Sequence, residues 1–225
     1  MHLRGVARFL LIGTLAVGGM QATILTFDFT PPLAGNAPIP QGYGDNVTAT
    51  VMGPFGYGAG NGFTPNITVS YHTLNADGSE KYPDTFFWPN QYASLVDFMI
   101  SRSEPDDIGY GEVTFTASSG FVVLNSFQMA AFDGVNTPDH RIRILDGNDV
   151  PLWDVSPFNF TVGQVVTFTP NVGGTTLKLQ FGNNWFVGID NINFDETGQL
   201  IPEPASLLLA GLGLAGLGLL RRRRK

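Results

Sequence analysis

The sequence predicts an all-β protein, an antiparallel β-sandwich, and three observations carry that prediction. Between residues 23 and 196, short runs alternate apolar with polar residues, which is the period of half-buried strands. Turn-forming pairs separate the runs, and no stretch before Pro204 shows the 3.6-residue period of a helix. The 28 Gly and 18 Phe among 225 residues also suit short strands joined by turns.

Strands are expected over residues 23–29, 46–52, 66–74, 95–100, 112–117, 121–132, 140–145, 165–169, 176–181 and 186–194. Alternation is clearest where Val113, Phe115 and Ala117 oppose Glu112, Thr114 and Thr116, and where Leu177, Leu179 and Phe181 oppose Lys178 and Gln180. Such strands have one wet and one dry face, as two packed antiparallel sheets require. Asp77-Gly78, Asp133-Gly134, Asp146-Gly147 and Gly173-Gly174 read as tight reversals that need positive φ, with 150–155 returning from the third as a hairpin arm. Gly and Pro are dense over 31–65, which reads as a long loop crossing the sandwich, interrupted by the strand at 46–52.

Both ends differ from this body. Residues 1–22 contain a basic start (Arg4, Arg8), an apolar run over 9–17 and Gly18-Gly19-Met20-Gln21-Ala22. This is the build of a helical secretory signal cut after Ala22 and delivered to the Sec translocon. After a short linker over 197–201 come Pro202-Glu203-Pro204, an apolar stretch over 205–220, and Arg221, Arg222, Arg223, Arg224 and Lys225. As a transmembrane helix, 205–220 spans about 24 Å at ~1.5 Å per residue, and the snorkelling basic end closes the gap to the hydrocarbon thickness. The positive-inside rule keeps that basic end in the cytoplasm and places the body outside the inner membrane.

The segment 202–225 resembles the PEP-CTERM sorting signal of Gram-negative bacteria, with Pro202, Glu203 and Pro204 as the namesake motif and residues 221–225 as the basic stop. The resemblance implies processing by exosortase, a membrane enzyme, and a route from an inner-membrane intermediate to the cell surface or extracellular matrix, in a setting of exopolysaccharide production and biofilm. The body resembles the jelly-roll domains that accompany this tail and, more distantly, galactose-binding-like carbohydrate modules. The matching stretches are Pro40-Gln41-Gly42-Tyr43-Gly44-Asp45, Thr64-Pro65-Asn66, Leu124-Asn125-Ser126-Phe127, and the run from Val187 to Phe194.

Composition narrows the function. Residues 23–200 hold 5 basic and 18 acidic side chains, a net of −13, so the body should repel nucleic acid and attract cations. With no cysteine, disulfides and thiolate metal sites are excluded. His72 and His140 have no partner at catalytic spacing and read as structural or surface residues. Asp106-Asp107 beside Glu104 reads as a solvated loop, because adjacent residues point apart and glycosidase acids come from separate elements.

Two candidate sites remain. Period-two alternation puts Asp190 on the face of Ile192 and Phe194, where an ionised acid needs compensation. Structural calcium shared with Asp28 and plain hydrogen bonding are the two options, and a bulge at Gly188 would instead turn Asp190 outwards. The aromatic residues Tyr82, Phe86, Phe87, Trp88 and Tyr92 are candidate glycan contacts, or alternatively a plug at the end of the sandwich. The expectation is a non-enzymatic, exported surface or matrix protein that binds exopolysaccharide. A structural or adhesive protein without a defined ligand is the alternative, and a secreted hydrolase the third reading.

Overall fold

A computed structural model describes residues 22–48, 62–103, 108–132 and 139–197. The expected signal peptide, the strand beyond residue 48, the Glu104/Asp106/Asp107 loop, the Asp133-Gly134 turn and the tail with its membrane helix lie outside the described residues. Among the described residues, no helix is long and apolar enough to cross a membrane. They form thirteen strands: β1 (Thr23–Leu25), β2 (Ile67–Leu74), β3 (Glu80–Tyr82), β4 (Phe86–Trp88), β5 (Phe98–Ile100), β6 (Tyr110–Ala117), β7 (Phe121–Ala131), β8 (Arg141–Asp146), β9 (Pro151–Asp154), β10 (Val165–Phe168), β11 (Val172–Gly174), β12 (Thr176–Gly182) and β13 (Val187–Thr197).

These strands make two antiparallel sheets. One has six strands in the order β3-β2-β6-β12-β8-β9, and the other has seven, with the path β10-β7-β13-β5-β4 and with β1 added to β13 and β11 to β7. The dry faces meet in one core, where Val69, Val113, Phe115, Ile144, Leu177 and Leu179 of the six-stranded sheet face Leu124, Phe127, Met129, Ile189, Ile192 and Phe194 of the other. The Phe115 and Phe194 rings lie 4.9 Å apart. The period-two reading of β2, β6, β8 and β12 therefore describes their buried faces well.

Three local expectations change. Gly173-Gly174 is not a reversal but strand β11, paired with Val123 and Val122. The positive φ there falls on Asn171, at 50°. At Asp146-Gly147 the positive φ sits on Asp149 (63°), while the Asp146 carboxylate accepts the N–H groups of Asn148 and Val150. The first strand stops at Leu25 rather than residue 29, because Phe27 takes φ 55° to carry its ring into the core.

The loop after β1 covers the free edge of β2. Gln41 accepts from the Tyr71 N–H (3.0 Å) and donates to the Tyr71 carbonyl (2.7 Å). Asp45 accepts from Val69 N–H, and Asn46 N–H donates to the Ile67 carbonyl at 2.7 Å. Satisfied in this way, the edge offers little to a second chain. Gly44 (φ +96°) makes the close approach, since a Cβ there would lie 2.8 Å from Leu25 Cδ2.

Gly111 on β6 is tighter still. A Cβ would lie 2.3 Å from two atoms of the buried Phe181 ring, so Gly111→Ala is expected to destabilise the protein by about 1–3 kcal/mol through overpacking. Urea unfolding measures this, and an unchanged midpoint would mean that the Phe181 ring has room to move.

Candidate functional site

The aromatic segment 82–92 is divided between two environments. On β4, alternation sends Phe87 into the main core, 1% exposed, and leaves Phe86 and Trp88 half-buried on the opposite face of the seven-stranded sheet. There a second apolar cluster forms around Tyr92, Leu95, Phe98, Ile100 and Ala130, roofed by the β4–β5 loop and joined by Trp185. Tyr92 is fully buried and donates its hydroxyl to the Trp185 carbonyl at 2.9 Å. Burial pushes its phenol up, to a direction far from ionisation at any neutral pH.

Phe87 and Tyr92 are therefore corrected from glycan contacts to core residues, because a ring with no exposed face cannot stack on a sugar. Trp88 packs edge-on against Trp185 with centroids 5.9 Å apart. Over Tyr82 and Phe86 sits the Arg102 guanidinium, 4.5 Å and 5.1 Å from the ring centroids. Arg102 is held there by Asp84 at 2.9–3.0 Å. Of the five rings, Tyr82, Phe86 and Trp88 keep some surface, and the first two already carry a cation on one face.

Asp190 is placed by a bulge, but the bulge is not at Gly188. Val187 and Ile189 face the core, and a Cβ on Gly188 would strike Phe98 of the outer cluster, so Asp190 also belongs to the outer side. Asn191 then takes φ 51°, the register against β7 slips between Asp190 and Asn193, and Ile192 and Phe194 return to the core. The shared face expected for Asp190, Ile192 and Phe194 is corrected accordingly, since an inserted residue reverses the phase of alternation.

The bulge has a partner in the topology. On its second edge, β13 pairs with β5 at residues 188 and 189 and with β1 from 192 to 194. The two short strands meet end to end opposite Asp190. Asp28 follows the end of β1 and Asp97 precedes the start of β5, so the topology gathers three aspartates at one break in the sheet edge.

Asp190 is 5% exposed, and its carboxyl is pushed up to about 8, first by burial and then by the charges of Asp28 and Asp97, against the lowering effect of the Asn191 N–H. Burial and Asp28 also raise Asp97. Sequence reading found Asp28 and Asp190 but missed Asp97, which was hidden inside an expected strand. Among the described residues, no group of three or more His, Cys, Asp or Glu side chains is placed to hold a metal ion. The compensation visible at Asp190 is two donors from Asn191, at 2.6 and 2.9 Å.

The histidines occupy structural positions. His72 is half-buried and bonds Glu80 at 2.8 Å. His140 is fully buried, with its ring 5.5 Å from that of Phe160. The first thus meets a carboxylate and the second a phenylalanine ring.

The C-terminal end of the chain is matched by comparison. The profile of the PEP-CTERM protein-sorting motif matches residues 200–224, a stretch that includes Pro202, Glu203, Pro204 and Arg221 to Arg224. The chain carries a PEP-CTERM sorting motif. It is an exported protein sorted by exosortase, a membrane enzyme that processes such tails, and it passes through a membrane-anchored intermediate before surface release. No curated protein matches the chain.

Among solved structures, the enzymatically active domain of tailspike protein 4 from bacteriophage CBA120 aligns at 14% identity and TM-score 0.28, over 59% of this chain and 19% of that one. This chain thus spans about a fifth of the tailspike's length. A mutant of the family 29 carbohydrate-binding module CBM29-2 aligns at 17% identity and TM-score 0.27, over 59% of this chain and 94% of the module. Likeness of this degree carries no inference about this chain.

Proposed function

We propose that this protein is a non-enzymatic component of the bacterial cell surface or extracellular matrix, and that its folded body associates with exopolysaccharide by shallow, weak contacts. The observation that carries the reading is the sorting motif over 200–224, since exosortase sorting delivers its substrates to the surface. On this reading the protein enters the Sec pathway by residues 1–22 and pauses in the inner membrane by 205–220. Cleavage near Pro202, Glu203 and Pro204 releases it. Trp88, Tyr82 and Phe86 supply the stacking surface. The half-burial of these rings is what favours the second reading, a structural or adhesive protein without a defined ligand.

Two measurements test the proposal. Replacing Pro202, Glu203 and Pro204 with alanine is expected to lower the surface-exposed fraction at least tenfold and to leave the uncut chain in the inner membrane. Surface release at the wild-type level would remove the motif from the sorting step. Retention of surface-released protein on the host's polysaccharide is expected to fall severalfold in Trp88→Ala, as the loss of a stacking ring implies. No retention of the wild type would decide for the structural reading.

A further inference from the structure

The polar face of the six-stranded sheet carries an arrangement that the sorting role leaves unexplained. A single row crosses five of its strands, with His72 opposite Glu112, Glu112 opposite Gln180, Gln180 opposite Arg143, and Arg143 opposite Asp154. Glu112 accepts from Gln180 Nε2 at 2.7 Å, which turns the amide oxygen of Gln180 the other way. That oxygen accepts from Arg143 Nε at 2.9 Å and from Arg141 Nη1 at 3.4 Å. The Arg141 guanidinium also lies over the Tyr110 ring, 3.6 Å from its centroid, and donates to the Ala76 carbonyl at 3.1 Å. Two guanidinium groups thus stand side by side, oriented by one neutral amide.

Their isolation is what makes them unusual. The body has five basic residues against eighteen acidic ones. Arg102 is ion-paired with Asp84 and Lys178 with Asp149. Neither Arg141 nor Arg143 has a carboxylate within ion-pair distance among the described residues. Asp154, the strand neighbour of Arg143, turns its Oδ1 to Ser156 N–H at 2.7 Å. Burial first, and then repulsion from Arg143, lower the Arg141 guanidinium from its ordinary value, against the raising effects of Tyr110 and Asp154. Among the described residues only Nε of Arg143 is engaged, which leaves its Nη groups the fork geometry that grips a carboxylate with two parallel hydrogen bonds.

We propose that Arg141 and Arg143 form a carboxylate-binding site on the outer face of the six-stranded sheet, and that its ligand is an acidic saccharide bearing uronate groups. The saccharide part of this assignment rests on the polysaccharide reading above, whereas the charge part rests on the unpaired guanidinium groups alone. Arg143 takes the carboxylate through its fork. Arg141, held flat on Tyr110, supplies the second positive charge, and Gln180 with Glu112 holds both in place before the ligand arrives.

The test uses the full-length chain in detergent on two columns, polygalacturonate and its methyl ester, which is the same sugar without the charge. Wild type is expected to be retained on the acid and to pass through the ester. Arg143→Gln is expected to weaken retention on the acid about tenfold, the size of one lost charge-assisted bond, and Arg141→Gln severalfold. Lys178→Gln removes the same charge from the same face, but from a lysine already paired, and is expected to change retention less than twofold. Equal losses in Arg143→Gln and Lys178→Gln, or equal retention on acid and ester, would overturn the site.

Displacement by inorganic sulfate at a concentration matching the uronate groups would overturn the saccharide assignment and leave a simple anion site. Because both arginines are half-buried, melting midpoints accompany each variant, and a loss of retention counts only where the midpoint is kept by at least one of the two. Retention on the host's polysaccharide without retention on polygalacturonate would sink this inference alone. Loss of both would sink the polysaccharide reading with it.

Discussion

Raising the pH from 4 to 8 is expected to weaken the folded body by about 5 kcal/mol through Asp190 alone, at about 1.36 kcal/mol per pKa unit. The carboxyl sits at about 8 in the folded chain against an ordinary 3.8. An acid raised in this way holds its proton more tightly when folded than when unfolded. Its contribution is fully present below about pH 4, declines as the pH climbs, and is gone once the pH passes the folded value near 8. Chemical unfolding at a series of pH values gives the slope.

Asp190→Asn is expected to flatten that slope, because a neutral amide needs no proton. It would cost about 1 kcal/mol at pH 4, where the Asn191 Nδ2 donor loses its acceptor. Above pH 7 it would stabilise the protein. A slope in Asp190→Asn equal to that of the wild type would remove Asp190 from the account. Calcium in the same experiment tests the ion expected from the sequence, since an ion between Asp28 and Asp190 would take the place of the proton and restore stability at pH 8. Identical midpoints with calcium and with chelator at pH 8 would exclude it.

The second large effect is in the main core. Phe194 is fully buried, and its ring meets that of Phe115 across the two sheets at 4.9 Å and 53°. Phe194→Ala is expected to cost about 3–5 kcal/mol, since both the transfer of the ring and the cavity it leaves are unfavourable. Phe115→Ala should cost a similar amount, and the double variant less than the two together by about 1 kcal/mol, the coupling of an aromatic pair. Urea unfolding measures all three. A loss below 1 kcal/mol in either single variant would mean that the sheets do not pack on each other at this point.

Much of this architecture is legible residue by residue. Over residues 67–72, 112–117, 141–144 and 176–181 apolar and polar residues alternate without a break, so the buried side can be named without knowing the neighbours. The strands β3, β4 and β11 span three residues each, too few to show a period, and Gly173-Gly174 has turn chemistry that pairing with β7 overrides. The phase reversal at Asn191 was illegible for a different reason. It answers to β1 and β5, strands far away in the chain that meet opposite it.

The candidate sites divide in the same manner. The sorting motif is contiguous and could be read directly. Phe86, Phe87 and Trp88 could be seen to face both ways, but not that a second apolar cluster would receive the outer two and Tyr92 with them. Arg141 and Arg143 alternate with Ile142 and Ile144, so their shared wet face could have been read from the sequence. That Asp154, opposite Arg143, turns its Oδ1 to the Ser156 N–H rather than to a guanidinium is a fact of the assembled sheet.

The position of β13 bears on when the protein can fold. The strand pairs with β7 along one edge and with β1 and β5 along the other, so the seven-stranded sheet has no centre until it arrives. It is also the final strand of the described residues, and five peptide units, about 18 Å at full extension, separate its last residue from Pro202. On the Sec route proposed above, the chain would cross the membrane before this strand is in place. The strand that completes the fold would then emerge together with the segment that carries the sorting motif.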